Sequence, residues 1–184
     1  MDQIKTKEDL INYFRKGNKK EHQFKIGVEH EKFLFSDNKR VNFETVLKIF
    51  NFLKQFGWKT IEEKNNIIAL AKEGKTITLE PGNQIELSGA PLNSIHLTCN
   101  ESYKFLDELK KACSSLNLKM MSTSFDPFSK LKNIPKTPKQ RYEIMTEEMP
   151  KGGELSLEMM YQTCGTQINL DYTSEKDFIK KFKL

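Results

Sequence analysis

Hydrophobic and polar residues alternate along several short stretches of this sequence, with the period of two that is typical of half-buried β-strands. The clearest pair of stretches comprises residues 76–80 and 84–88, which are separated by Pro81-Gly82-Asn83. Proline fixes its own φ, and glycine and asparagine tolerate positive φ, so this tripeptide predicts a tight hairpin turn. The hairpin places Glu80 and Glu86 on one face as diagonal neighbours, roughly 7–8 Å apart at the backbone.

The rest of the chain predicts further strands and several helices. Alternation or β-branched and aromatic content predicts strands at residues 24–35, 58–62, 67–72, 118–125 and 163–171. Three- and four-residue spacing of apolar side chains predicts helices that begin at Thr6, Asn42, Leu92 and Ser174. A further helix is predicted to open at Arg141 and Tyr142 and to end near Pro150. In the long helix at 92–116, Cys99 and Cys113 are expected on the buried side. The predicted fold class is α+β, an antiparallel β-sheet with covering helices.

Strand 24–35 carries a second pair of carboxylates. Glu29 and Glu31 are two residues apart and therefore share a face, roughly 6.6–6.8 Å from each other. This spacing would let both carboxylates bind divalent cations at neighbouring positions. His30 points to the other face, and we interpret it as a packed core residue outside the site. A solvated sheet face that binds nothing is the alternative for each glutamate pair.

A third polar pair and one arginine complete the candidate chemistry. Gln167 and Asn169 share a face of strand 163–171, and their amide groups could complete a magnesium shell or hold a phosphate. Arg141 follows the proline-containing loop 126–138. Its planar guanidinium could bind a substrate carboxylate in a bidentate way, and a solvated arginine is the alternative.

Composition and charge exclude several classes of protein. The 184 residues include 30 basic and 25 acidic side chains, and the net charge of +5 is spread along the chain, so no nucleic-acid partner is predicted. The three cysteines show no zinc or disulfide spacing, which favours a reducing, cytoplasmic location. No apolar run approaches the ~18 residues of a membrane span, and the N-terminus lacks the apolar core of a signal peptide, so no membrane association is expected.

Four sequence blocks, in this order, resemble the N-terminal half of glutamate–cysteine ligase, in the branch shared by plants and proteobacteria. The blocks are residues 26–35, EPGNQIELSGAP at 80–91, PKQRYEIM at 138–145 and MMYQTCGTQINLD at 159–171. The resemblance implies a glutamine synthetase-like catalytic fold and an enzyme that uses ATP and Mg²⁺. It would ligate the γ-carboxylate of L-glutamate to L-cysteine through a γ-glutamyl phosphate, the first step of glutathione biosynthesis.

The resemblance also implies roles for the same polar residues. Four glutamates match the family's metal ligands: Glu29, Glu31, Glu80 and Glu86. Gln167 and Asn169 match a polar pair near metal and phosphate, and Arg141 matches an arginine that contacts substrate. Asn83 departs from the pattern, because relatives often have a second glycine there, but asparagine tolerates the same backbone region.

The family continues well beyond this length, and the helix that begins at Ser174 reaches Leu184 without a stop signal. Residues 1–184 are therefore expected to be the N-terminal portion of one truncated catalytic domain, inactive alone. Two alternatives stay open: a γ-glutamyl ligase with another amine acceptor, and an inactive magnesium-binding fragment. No Walker loop or Gly-x-Gly-x-x-Gly motif occurs, which disfavours P-loop and Rossmann enzymes. The sequence leaves the oligomeric state open.

Overall fold

The computed structural model describes residues 3–183, so Leu184 and the predicted lack of a stop signal there lie outside the described residues. The strands are β1 Ile26–Ser36, β2 Lys39–Arg40, β3 Lys59–Glu63, β4 Asn66–Lys72, β5 Lys75–Leu79, β6 Ile85–Ser88, β7 Lys119–Met121 and β8 Thr166–Leu170. The α-helices are α1 Lys7–Arg15, α2 Phe43–Leu53, α3 Ile95–Ser115, α4 Gln140–Glu148, α5 Ser156–Gln162 and α6 Glu175–Phe182.

All eight strands belong to one antiparallel sheet in which β1 is central. The main order is β2-β1-β6-β5-β4-β3, and β7 and β8 also pair with β1. Glu29 of β1 therefore lies between Ser88 of β6 and Gln167 of β8. The α+β class and the antiparallel sheet are confirmed.

In the β5–β6 hairpin, Thr78 lies opposite Glu86, which is the register that makes Glu80 and Glu86 the predicted diagonal neighbours. Asn83 adopts a left-handed conformation (φ 59°), and its N–H donates to the Glu80 carbonyl at 3.0 Å. The Asn83 side-chain amide donates to the carbonyl of Val41 at 3.2 Å, which ties the turn to the residue after β2. Asparagine therefore forms this turn in the left-handed conformation that it tolerates.

Two helices cover one face of the sheet and build the core. The Asn42 side chain accepts the Thr45 N–H and caps α2, and Gly57 ends the following 3-10 turn with φ 89°. The core consists of buried side chains from α2, α3 and the strands beneath them: Leu34, Val46, Ile49, Phe50, Leu53, Trp58, Leu70, Ile77, Leu79, Ile85, Leu87, Phe105 and Leu109. Burial of each large side chain contributes roughly 1.5–3 kcal/mol, so this face dominates the stability of the fold.

The buried stripe of α3 differs from the prediction in its first half. Cys113 is buried as expected, but Cys99 is exposed, so its predicted burial is wrong. Four-residue steps drift by roughly 40° each around a helix with 3.6 residues per turn, and repeated steps of four leave the buried side. Thr98 and Phe105 occupy the buried side instead.

Two predicted strands are shorter than the pattern suggested. Residues 118–125 form only β7, which has three residues. Residues 159–162 belong to α5, and the strand that follows begins at Thr166. Met160 and Tyr161 of α5 pack with Ile134 in a small second cluster, which explains why this apolar stretch is helical.

A candidate metal centre on the polar face of the sheet

Three carboxylates converge on the face of the sheet opposite the core. Glu31 belongs to β1, Glu86 to β6, and Glu80 directly follows β5; one oxygen from each lies within 4.8 Å of the others. Strand register explains the convergence, because Glu31 is directly opposite Glu86, and Glu86 is opposite Thr78, two residues before Glu80. Period-two alternation therefore brings the three side chains together.

Hydrogen bonds orient two of these carboxylates in advance. The Thr78 hydroxyl donates to Glu86 Oε1 at 3.0 Å, and the Ser88 hydroxyl donates to the same oxygen. The backbone N–H of Gly165 donates to Glu31 Oε2 at 2.8 Å. The donors leave at least one oxygen of each carboxylate available to a ligand.

The loop before α4 and the first turn of α4 hold Glu80. The Tyr142 hydroxyl donates to the Leu79 carbonyl at 2.6 Å and lies 3.2 Å from Glu80 Oε1. The Lys139 ammonium donates to the same Leu79 carbonyl at 2.7 Å. The Thr137 hydroxyl donates to the Glu80 carbonyl at 2.6 Å. Three side chains from residues 137–142 thus fix the end of β5 from which Glu80 projects.

The electrostatics of the cluster favour a bound cation. Burial, together with the charges of Glu86 and Glu31, raises the pKa of Glu80 to about 7. Burial and the charges of Glu86 and Glu29 also raise the pKa of Glu31, although the Gly165 N–H opposes the change. Like charges this close cannot all ionise at low cost unless a cation lies between them.

The donor set fits a hard divalent cation. All three side chains offer carboxylate oxygens, which Mg²⁺ and Ca²⁺ prefer. Cys164 is next to Gly165, but burial raises the pKa of its thiol well above the ordinary value, so a thiolate ligand is disfavoured. Among residues 3–183, this cluster is the one group of three or more such side chains within ligand range of each other.

Glu29, Gln167 and Asn169 form a separate group beside the cluster. The Asn169 side-chain amide donates to Glu29 Oε1 at 3.0 Å, and the Gln167 amide donates to Asn169 Oδ1 at 3.0 Å. Glu29 is half-buried, whereas both amide residues are exposed. The structure therefore brings three of the four predicted glutamates together and places the fourth with the predicted amide pair.

Arg141 and His30 lie outside the carboxylate cluster. Arg141 is exposed in the first turn of α4, between Lys139 and Tyr142, which contact the end of β5. His30 Nδ1 lies 3.5 Å from Thr166 Oγ1, and the ring is half-buried.

Sequence reasoning missed a buried ion pair that supports the site. Arg40 Nη1 lies 3.2 Å from Asp126 Oδ2, and both side chains are buried. The same guanidinium donates to the carbonyls of Tyr161 and Gly82, so it ties α5 to the turn that follows Glu80. Asp126 is 86 residues from Arg40 in sequence, so no local pattern could have paired them.

The fold and the cluster together define an α+β protein whose antiparallel sheet carries, on its polar face, three carboxylates that could hold a divalent cation. No described helix combines the length and apolar character needed to cross a membrane. Residues 25–184 match glutamate-cysteine ligase family 2 (GCS2), and the chain belongs to this family.

Several plant enzymes are similar to this chain over nearly its whole length. The chloroplastic glutamate–cysteine ligase of Nicotiana tabacum is 43% identical over 181 residues, which cover 97% of this chain and 35% of the relative. Glutamate–cysteine ligase A, chloroplastic, of Oryza sativa subsp. japonica is 44% identical, covering 97% of this chain and 37% of the relative. The Arabidopsis thaliana enzyme is 40% identical, covering 97% and 35%. The chain thus spans about a third of the length of these relatives.

These names also correct the predicted location. The relatives are chloroplastic, which contradicts the expectation of a cytoplasmic protein. Cysteine usage reports on redox conditions and cannot identify a compartment. Plastid transit peptides are amphipathic and have no apolar core, so the absence of such a core could not argue against a plastid either.

Proposed function

We propose that this chain carries the metal-binding part of a glutamate–cysteine ligase. The reaction joins the γ-carboxylate of L-glutamate to the amine of L-cysteine, consumes ATP and yields γ-glutamylcysteine, the first step of glutathione biosynthesis. Residues 1–184 would be the N-terminal portion of one catalytic domain. The strongest support is the convergence of Glu31, Glu80 and Glu86 in a chain of this family.

The proposed metal is Mg²⁺, and its proposed ligands are the cluster glutamates together with Glu29 on the flank. When bound, Mg²⁺ neutralises charge on the phosphoryl oxygens of ATP. Glu31 and Glu86 are held by hydroxyl and amide donors, so they present their oxygens without reorganising. Gln167 and Asn169 are proposed to contact phosphate or the metal's outer ligands.

Phosphoryl transfer requires positioning and charge neutralisation more than a side-chain nucleophile. A γ-carboxylate oxygen of glutamate attacks the terminal phosphorus of ATP, and ADP leaves. The cysteine amine then attacks the γ-carbonyl carbon of the acyl phosphate, phosphate leaves, and the amine loses a proton. Arg141, exposed beside the contacts to Glu80, is proposed to bind a carboxylate of glutamate through its guanidinium.

The decisive experiment measures ADP release, with Mg²⁺ and ATP, by a chimera in which this chain replaces the matched third of the Nicotiana tabacum enzyme. Release that requires both glutamate and cysteine, and that Glu86→Gln abolishes, supports the proposal. Release with glutamate and a different amine favours a γ-glutamyl ligase with another acceptor. Calorimetric binding of Mg²⁺ to the chain, without ADP release by the chimera, favours an inactive magnesium-binding fragment.

A further inference from the structure

Strand β8 lies at the edge of the sheet beside the candidate site. It pairs with β1, and among residues 3–183 no other strand pairs with it. All five of its residues are exposed. Its outer edge is therefore open where the sheet carries Gln167 and Asn169.

The backbone of β8 presents unpaired groups along this edge. The Glu31 N–H donates to the Gly165 carbonyl at 3.2 Å, which fixes Gly165 as a hydrogen-bonded partner of β1. Hydrogen-bonding direction alternates along an antiparallel pair, so the backbone groups of Gln167 and Asn169 also point towards β1. The backbone groups of the intervening residues point away from β1. These outward residues of β8 are Thr166, Ile168 and Leu170.

The strand at the opposite edge of the sheet, β3, has features that prevent the addition of another strand. Its sequence KTIEE carries three charges, and its register shifts between Ile61 and Glu62. Charges and bulges are the usual devices that prevent strand addition. The β8 sequence TQINL has no charge and no proline, and its pairing with β1 runs without a register shift. Ile168 and Leu170 are 63% and 48% exposed, so β8 has none of the protection seen at β3.

We propose that β8 is a docking edge for one more β-strand, supplied by the part of a glutamate–cysteine ligase that lies outside the third matched by this chain. A strand is the partner that satisfies alternating outward N–H and C=O groups, and it would cover the apolar side chains of Ile168 and Leu170. The Nicotiana tabacum relative matches this chain over 35% of its own length, so most of its polypeptide is available for this role.

The added strand would also complete the site. With the added strand, Gln167 and Asn169 would occupy the non-hydrogen-bonded positions of the new antiparallel pair. Directly opposed side chains lie closest together at these positions. Partner residues opposite them would lie on the face that carries Glu29. The docking edge therefore goes beyond the proposed function, since it assigns a surface and a partner whether or not the chain turns over substrate.

Hydrogen–deuterium exchange of single amides tests the proposal. The chain alone is compared with a chimera in which it replaces the matched third of the Nicotiana tabacum enzyme. We expect the amides of Ile168 and Leu170 to exchange freely in the chain alone and at least about tenfold more slowly in the chimera. The amides of Gln167 and Asn169, which bond to β1, should be protected in both proteins and so report that each is folded.

Two variants of the chimera sharpen the test. Ile168→Pro removes one outward N–H without touching the β1 ladder, so exchange at Leu170 should return towards the rate in the chain alone. Ile168→Val keeps the donor and should retain the protection. Equal exchange at the outward residues in chain and chimera overturns the proposal. Protection in the chain alone also overturns it, and protection that rises with concentration identifies a second copy as the occupant.

Discussion

The face of the sheet beneath α2 and α3 and the face that carries the glutamates are made by the same strands but are stabilised differently. Beneath the helices, fully buried apolar side chains such as Leu79 and Leu87 belong to the same core cluster as Phe50, and their burial favours folding at any pH. On the other face, Glu80 and Glu86 repel each other, and a few hydroxyl donors hold their carboxylates in place. The folding stability thus comes from the helix-covered face, whereas the glutamate face carries negative charge that a cation can neutralise.

The largest effect is expected on the helix-covered face. Phe50→Ala removes a ring that is 0% exposed, and the cavity should cost roughly 3–5 kcal/mol of unfolding free energy. Urea unfolding monitored by circular dichroism measures this cost. Magnesium affinity of the protein that remains folded should not change, because Phe50 has no contact with the carboxylates. A cost below about 1 kcal/mol would mean that the core relaxes far more than its packing indicates.

The second effect belongs to the glutamate face. Mg²⁺ should stabilise the wild-type chain by about 2.7 kcal/mol when its free concentration is 100 times the dissociation constant. Glu86→Gln should abolish this stabilisation and leave the metal-free melting temperature unchanged or higher, because it removes one of the repelling charges.

Thermal melts with and without Mg²⁺ measure both quantities. Glu44→Gln is the matched control, since Glu44 is an exposed carboxylate paired with Lys48 on α2. A Mg²⁺-dependent shift that survives in Glu86→Gln would exclude the cluster as the metal site. Glu29→Gln sharpens the comparison, because partial loss of the shift is expected if Glu29 binds the same ion.

A third effect is the pH dependence of stability. The pKa of Glu80 is raised to about 7 in the folded chain, whereas the pKa of an unfolded glutamate lies near the ordinary value of 4.5. Between these two values the folded state holds more protons, so metal-free stability should fall as pH rises, by at most about 1.4 kcal/mol per pH unit for one proton. Stability measured from pH 4.5 to 7.5 tests this slope. Saturating Mg²⁺ should flatten or reverse it, because ligation requires the ionised carboxylate.

The polar face shows where sequence reasoning succeeds and where it stops. Alternation identified Glu31, Glu80 and Glu86 because a residue's face is set by local strand geometry and by the length of one turn. The family resemblance added Glu29 as a fourth metal ligand, and in the structure its carboxylate accepts a hydrogen bond from the Asn169 amide beside the cluster. Alternation alone could not detect that contact, because it depends on the pairing of β1 with β8, about 140 residues apart in sequence.

The sequence could not predict the contacts that support the site, for the same reason. Tyr142 is 62 residues from Glu80, and Arg40 is 86 residues from Asp126. Such pairs depend on how loops cross the sheet, and periodicity contains no information about that. The error at Cys99 is different in kind, because Ile95, Cys99 and Tyr103 follow each other in steps of four, which drift around the helix, and all three are exposed on α3.

The smallest expected effect concerns Tyr142, which links the two faces through the end of β5. Its hydroxyl donates to the carbonyl of Leu79, a core residue, and lies 3.2 Å from Glu80 Oε1. Tyr142→Phe keeps the buried ring and removes only the hydroxyl, so it should cost about 1 kcal/mol of stability and weaken Mg²⁺ binding several-fold. Tyr103→Phe is the control, because Tyr103 is 72% exposed on α3 and should change neither quantity.

Calorimetric Mg²⁺ titration of both variants, combined with urea unfolding, separates the two contributions of Tyr142. Weaker Mg²⁺ binding at unchanged stability would mean that the hydroxyl acts mainly by orienting Glu80. Lower stability at unchanged affinity would mean that its main partner is the Leu79 carbonyl and that the cluster keeps its geometry without Tyr142. Because the same hydroxyl reaches both groups, we expect both quantities to fall, and a variant with neither change would remove Tyr142 from the support of the site.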